Sequence, residues 1–252
     1  MSKAELEPWL VPDWPAPPGV HARITTRQTP GISKPPFDRC NLGNRCGDAT
    51  DAVAANRASL VESFNLPAAP RWLRQVHGTT VIDTDDDNRE AEPEADAAIA
   101  RSADVVLAVL TADCLPVLFC SEDGREIAVA HAGWRGLAAG ILESTLERFD
   151  TGAARTLAWL GPSIGAASYE IGEEVRQAFV DHDAGAAVAF TATRPGHWQC
   201  DLSGLARRRL AAAGVTRISG GGFDTRSDKR FFSYRENPQS GRFASLIWRS
   251  NP

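Results

Sequence analysis

The sequence predicts an α/β protein, a layered sandwich of mixed β-sheet and helices, on three observations. Apolar runs of strand length at 105–110, 115–120, 127–130 and 156–160 carry the β-branched content of buried strands. Stretches at 51–64 and 137–149 place apolar residues at helical spacing instead. Strands and helices intermix without a strict strand–helix–strand rhythm and without internal repeats, so the sheet is expected to be mixed.

Size and charge bound the function classes. A chain of 252 residues is long enough to bury ~70–75% of its unfolded surface. Hydrophobic and charged shares of 43% and 23% are those of an ordinary globular protein. A net charge of -5 argues against a nucleic-acid binder. The opening MSKAELEPWLVPDWPAPPGV lacks the apolar core of a signal peptide, and no run approaches the ~20 apolar residues of a membrane span. Five cysteines, odd in number and irregularly spaced, fit reduced thiols in the cytoplasm better than a disulfide framework. Residues 1–20, rich in proline and tryptophan, read as an irregular arm, and 21–252 as one catalytic domain.

In chain order, weak alternation over 21–26 predicts a first strand, and the proline pairs of 28–39 a loop. The segment 41–48 is polar and turn-prone; a helix follows over 51–64, with Val53, Arg57, Leu60 and Val61 in register. Residues 71–76 read as a strand ending at His77-Gly78 and continued by 80–82. The acidic, proline-broken run 84–96 reads as a solvated loop with no special function. Two strands, 115–120 and 127–130, flank Asp123-Gly124, a strong hairpin turn. The pairing this implies sets Pro116 opposite His131, with Cys114 a diagonal neighbour of His131 at ~7–8 Å or less. A helix is predicted over 137–149, a strand over 156–160, a helix over 169–180, irregular chain over 181–196 and a short strand over 198–202. Asp201 or Ser203 caps a helix over 205–213 that stops at Gly214. The last strands are expected at 215–219, 231–234 and 244–248.

Three side chains share one pattern, each at a strand end and followed closely by a turn or glycine: His77, Cys114 and His131. Singly, each is more simply structural, since a buried free cysteine is usually a small hydrophobe. Together they make a His₂Cys set. With zinc, three protein ligands leave a fourth position for water or substrate, and the ion lowers the pKa of its water towards ~7. With copper, His₂Cys with an axial methionine is an electron-transfer site, but the chain's one methionine is Met1, which favours zinc. Without a metal, Cys114 is a nucleophile with His77 or His131 as its base. Gly133 to Gly136 open a helix where bare N–H groups could hold an anion, with Arg135 adding charge; a plain tight turn explains them as well. His21, His182 and His197 lack the framing, Cys40 and Cys46 lack zinc-knuckle spacing, and Cys120 and Cys200 read as packing.

The motifs QVHG (75–78), LTADCLPVL (110–118), AHAGWRG (130–136), GPSIG with YEIG (161–172), and FFSYR, SGR and ASLIW (231–248) resemble the YfiH/DUF152 family. NLGNRCGD (41–48) and AANR (54–57) fit too. These proteins were long labelled laccase-domain or multicopper polyphenol oxidases, and the resemblance spans nearly all of the chain past residue 20. It implies a YfiH-like layered fold and a zinc enzyme of purine nucleosides. The implied reactions are phosphorolysis of adenosine, inosine, guanosine and methylthioadenosine by inorganic phosphate, and deamination of adenosine. The family's zinc ligands map to His77, Cys114 and His131. On this reading Arg57 and Arg135 are phosphate contacts, Asn41 holds ribose or base, and Asp113 carries a proton in deamination. The rivals are a cysteine-type amidase that edits a serine-containing peptidoglycan precursor, and a copper polyphenol oxidase. Where many relatives carry Cys-Thr after the late glycines, this chain has Asp224-Thr225.

Overall fold

The computed structural model describes residues 8–85 and 92–250. Its first half contains β1 (Trp9–Leu10), β2 (Val20–Thr25), α1 (Thr50–Ser63), β3 (Val81–Asp83), β4 (Ala97–Ala100), β5 (Val106–Thr111), β6 (Leu115–Ser121) and β7 (Ile127–Ala132). Then come α2 (Trp134–Ala139), α3 (Ile141–Leu146), β8 (Thr156–Leu160), β9 (Glu170–Gly172) and α4 (Glu173–Val180). The chain closes with β10 (Phe190–Arg194), β11 (His197–Cys200), α5 (Leu202–Ala212), β12 (Arg217–Gly220) and β13 (Phe243–Arg249). No described helix is long and apolar enough to cross a membrane.

Six strands in the order β12-β8-β6-β7-β4-β3 form the main sheet. It is mixed, as predicted: β12 with β8 and β3 with β4 are parallel, the other pairs antiparallel. Four strands, β1-β2-β13-β5, form a second, antiparallel sheet, and β10-β11-β9 a small third one. Alternation along the strands decides the layers. Leu107, Val109 and Ile247 of the four-stranded sheet pack on Leu118, Cys120, Ile127 and Val129 of the main sheet. Their neighbours Val106, Ala108 and Leu246 turn the other way, onto Leu60 and Phe64 at α1. On the far face of the main sheet, Val117, Phe119, Ala128 and Ala130 meet Leu137, Ile141, Phe179, Leu205 and Leu210 of the helices. The result is a sandwich of helix, sheet, sheet and helices.

The β6–β7 hairpin has the expected register, with Pro116 opposite His131. Pro116 is tolerated in a central strand because it lies just past the end of β8. There its carbonyl accepts from Gly161 N (2.8 Å), and no ladder bond falls on its missing N–H.

Other expectations are corrected. Trp9 and Leu10, inside the supposedly irregular arm, pair with Thr25 and Ile24; residues 1–7 of that arm lie outside the described residues. Residues 71–76 make only isolated bridges at Arg71 and Arg74, because the Gln75 amide pairs with Leu110 in place of a backbone partner and the amides after it turn to a carboxylate. The helix expected over 137–149 is two helices, broken at Gly140, whose φ of 103° no helix accepts. Residues 170–172 pair with β11 before α4 begins. Pro195-Gly196, read as irregular, is the turn of the β10–β11 hairpin, with Gly196 at φ 72°. Phe231 and Phe232 are buried but form no strand; Phe231 packs between Phe223 and Phe243. The acidic run is not simply solvated either. Residues 86–91 are outside the described residues, but Glu92 pairs with Arg57 and Asp96 is fully buried.

Candidate metal centre

His77 sits in the turn before β3, Cys114 on the crossing from β5 to β6, and His131 within β7. The chain changes sheets at Ala112-Asp113-Cys114, which brings the thiol to the end of β7. One ligand atom from each residue lies within 4.8 Å of the other two. Cys114 Sγ is 3.7 Å from His77 Nε2. The two imidazole rings meet edge to face at 4.7 Å between centroids. His131 is buried, Cys114 half-buried and His77 exposed, so the group closes the protein on one side and opens it on the other.

Two of the four non-glycine residues at positive φ among the described residues are here, His77 at 61° and Asp113 at 90°. Such a conformation costs on the order of 1–3 kcal/mol and persists only where neighbours over-determine it. Around His77, the backbone N–H groups of Val76, His77 and Gly78 all donate to Asp96 (3.2, 2.9 and 2.7 Å). Around Asp113, the carboxylate accepts from Thr225 Oγ1 and the Arg235 N–H, both at 2.7 Å, and the carbonyl accepts from Ile164 N (2.9 Å). The glycines of the AGWRG motif serve close approach. A Cβ on Gly133 would lie 2.6 Å from His77 Cδ2 and 3.1 Å from Cys114 Sγ; one on Gly136 would lie 3.0 Å from Gly78 O.

The electrostatics separate this thiol from the others. Burial is the main cause that raises Cys40, Cys120 and Cys200 to about 12, with Arg217 opposing it at Cys120 and Asp201 adding to it at Cys200. Burial pushes Cys114 the same way, but the charge and hydrogen bonding of His131, with those of His77, outweigh it and bring the thiol down to about 6. His131 is lifted to about 9 despite burial, by the Cys114 thiolate and by Asp96, whose Oδ1 is 2.8 Å from His131 Nδ1. Each group thus favours the charged form of the other, thiolate beside imidazolium. The donor set suits zinc: a ready thiolate, two imidazoles, and a buried carboxylate behind one of them.

The group lies in the wall of a cavity of about 460 Å³, within the range of small-molecule sites. Trp134, Tyr169 and Tyr234 give it aromatic surface, and Arg45, Arg135, Arg235 and Arg242 give it positive charge. Asp113 lines it as well, and each of its carboxylate oxygens accepts one hydrogen bond from a neighbouring loop, so it also ties those loops together. Arg135 lies over the Trp134 ring, 4.5 Å from its centroid. Two expected substrate contacts, Asn41 and Arg57, do not line this cavity. Asn41 is fully buried, and its amide bonds Gly43, Asp48 and the Arg242 N–H, so it shapes the loop that carries Gly43 to Cys46. Arg57 donates to the Leu42 carbonyl, pairs with Glu92 at 2.6 Å and stacks on Trp72. Asp96, Arg235 and Arg242 were missed. The last two lie in segments already singled out as motifs, whereas Asp96 ended a stretch read as surface.

Asp224 ties the 161–165 turn in place. It accepts from Gly165 N (3.0 Å), Ser168 Oγ (2.6 Å) and Ser227 Oγ (3.0 Å). Partial burial would raise its pKa, but these donors hold it below the usual carboxylate range. A depressed carboxylate stabilises the fold above its unfolded value of ~3.9 and loses that contribution as pH falls through the folded value. Asp224→Asn is therefore expected to lower the urea midpoint at about pH 7, with a difference that closes towards roughly pH 2–3. A pH-independent gap in urea titrations would contradict this.

Residues 21–250 match the family model described as multi-copper polyphenol oxidoreductase laccase. A protein of Xylella fastidiosa named purine nucleoside phosphorylase is 53% identical over 249 residues, covering 95% of this chain and 96% of that one. The purine nucleoside phosphorylase YfiH of Escherichia coli is 48% identical over 240 residues, 95% of this chain and 98% of its own. Among solved structures, a Neisseria meningitidis protein of the DUF152 family superposes with a TM-score of 0.93 at 40% identity, over 97% of this chain and all (100%) of that one. YlmD from Geobacillus stearothermophilus gives 0.88 at 29% identity, over 98% of each chain.

Proposed function

This chain belongs to the multi-copper polyphenol oxidoreductase laccase family, the YfiH/DUF152 proteins, and from that premise we propose that it is a zinc-dependent enzyme of purine nucleosides. Its reactions are phosphorolysis of adenosine, inosine, guanosine and methylthioadenosine, and deamination of adenosine. The observation that carries the reading is the placement of three convergent ligands, His77, Cys114 and His131, in the wall of a cavity with aromatic and cationic sides. The names of the relatives add the substrate class.

His77, Cys114 and His131 would hold the ion, which when bound supplies a Lewis acid with an open position. The aromatic faces of Trp134, Tyr169 and Tyr234 would take the purine. Guanidinium groups would hold inorganic phosphate against ribose C1′ as the glycosidic bond breaks with oxocarbenium character, so that catalysis comes from placement and fixed charge. Arg135, braced on Trp134, is the phosphate contact retained from the sequence, and Arg235 and Arg242 also line the cavity. Removing one charged hydrogen-bond donor costs about 1.5–3 kcal/mol, roughly 10- to 100-fold in rate. Arg135→Ala is expected to lose that much in kcat/KM for phosphate with a wild-type melting temperature; steady-state kinetics at varied phosphate checks it.

The deciding experiment is metal analysis joined to a turnover assay. The purified protein is expected to carry zinc, to convert adenosine to adenine only when phosphate is present, to form inosine without it, and to lose both activities on chelation and regain them with zinc. Blue absorbance with oxygen uptake on a phenol would instead support the copper oxidase. Release of serine from the muramyl precursor without nucleoside turnover, unaffected by chelator, would support a Cys114 amidase. A metal whose removal unfolds the protein, with no turnover of any of these, would leave a binding module.

A further inference from the structure

Asp96 stands at the head of β4 and is fully buried. Both of its carboxylate oxygens face the centre. Oδ1 accepts from the His77 backbone N–H (2.9 Å) and lies 2.8 Å from His131 Nδ1. Oδ2 accepts from the N–H groups of Gly78 (2.7 Å) and Val76 (3.2 Å). The backbone joins in, because the Asp96 carbonyl accepts from His131 N at 2.7 Å and its N–H donates to Thr80 O at 3.1 Å.

We propose that Asp96 is the positioning residue of the centre, a single carboxylate that aims both histidines at one point. The proposal rests on the metal-centre reading above and assigns within it a role that none of the three ligands can perform. For His131 the reason is exclusivity: Nδ1 is engaged by the carboxylate, which leaves Nε2 as the only ring atom able to face an ion. For His77 the reason is conformational. Its φ of 61° sets three successive N–H groups converging on one side, the concave arrangement that binds an anion. Here that anion is internal. The carboxylate compensates the left-handed backbone, and the backbone in turn swings the His77 ring over to Cys114. One group thus fixes a ring orientation through a side chain and a loop conformation through amides, across 19 residues to His77 and 35 to His131.

The test uses Asp96→Asn, which keeps the size but sets an NH₂ donor against N–H donors. The probe is zinc alone, with affinity measured by competition against a chromophoric chelator and thermal unfolding of the metal-stripped proteins measured in parallel. The expected result is a fall in zinc affinity of about 10- to 100-fold, the range for loss of an outer carboxylate partner, in a protein that still folds. Asn56→Ala is the control for a merely structural loss. Asn56 is buried and bonds Ile32 N, Ser33 Oγ and Asn41 O, each at 2.8 Å. That variant should melt earlier yet bind zinc as the wild type does. Zinc affinity of Asp96→Asn within about twofold of wild type, or an equal loss in Asn56→Ala, overturns the proposal. If Asp96→Asn does not fold, proton–nitrogen correlation of the histidine rings in zinc-loaded wild-type protein decides instead. A proton on Nδ1 of His131 supports the assignment, and zinc bound through Nδ1 overturns it. Wild-type protein that takes up no zinc at all is a different outcome: it fails the metal-centre reading itself, and the proposal falls with it.

Discussion

Cys114→Ser is expected to give folded protein that neither holds zinc nor turns over nucleosides. The substitution is nearly isosteric, so the turn at Asp113 and the start of β6 should survive. What changes is charge. The charge and hydrogen bonding of His131 and His77 pull the Cys114 thiol towards its thiolate form, whereas a serine hydroxyl stays protonated and is a poor zinc ligand. Losing a ligand outright should exceed the ~10–100-fold penalty for losing an outer partner, enough to strip zinc on dialysis. Metal content per chain, turnover of adenosine with phosphate and the melting temperature of the metal-free protein together check this. The variant also kills a nucleophilic cysteine, so the pairing with chelation matters. A wild-type enzyme indifferent to chelator but dead as Cys114→Ser would point to the thiol acting alone.

Gly133→Ala should do nearly as much damage with one methyl group. Gly133 adopts φ -63° and ψ 157°, open to any residue, so the backbone itself costs nothing. The whole effect is steric: the added Cβ would meet His77 Cδ2 at 2.6 Å and Cys114 Sγ at 3.1 Å. A Cβ contact under 3.0 Å forces something to shift, and the side chain nearest to hand is a ligand. The His77 loop cannot easily retreat, because Asp96 holds its amides. Zinc affinity is expected to fall by at least the ~10–100-fold of an outer-partner loss. Gly222→Ala, where a Cβ meets nothing within 4 Å, should be neutral. Equal zinc binding by Gly133→Ala and wild type would mean that His77 is not held where the structure puts it.

Much of the site was legible because it is local. An apolar run, Asp123-Gly124 and a second apolar run fix one hairpin, and its period of two sets Pro116 against His131. Cys114 follows from that register. The layering also follows, since alternate residues of β5 and β13 must find two different cores. What stayed hidden is what depends on partners far along the chain. Asp96 belongs to an acidic run that by composition is surface, and only folding reveals three amides and an imidazole converging on it. Asn41 and Arg57 misled for the same reason: polar side chains near a motif were read as reaching outward, but buried backbone groups and Glu92 claim them first. The strand expected at 231–234 failed because aromatic content signals burial as readily as it signals extension.

The crossing at Ala112 to Cys114 has a mechanical corollary. It joins β5 of one sheet to β6 of the other, and the thiol it carries faces imidazoles rooted in β7 and in the turn before β3. An ion gripped there acts as a rivet through the seam of the sandwich. Thermodynamic reciprocity then applies: occupancy would raise resistance to unfolding by RT ln(1 + [ion]/Kd), and a sliding of the two sheets that occupancy opposes would in turn weaken the grip. Substitutions deep between the sheets, far from any ligand, should therefore register as lost metal before they register as lost fold.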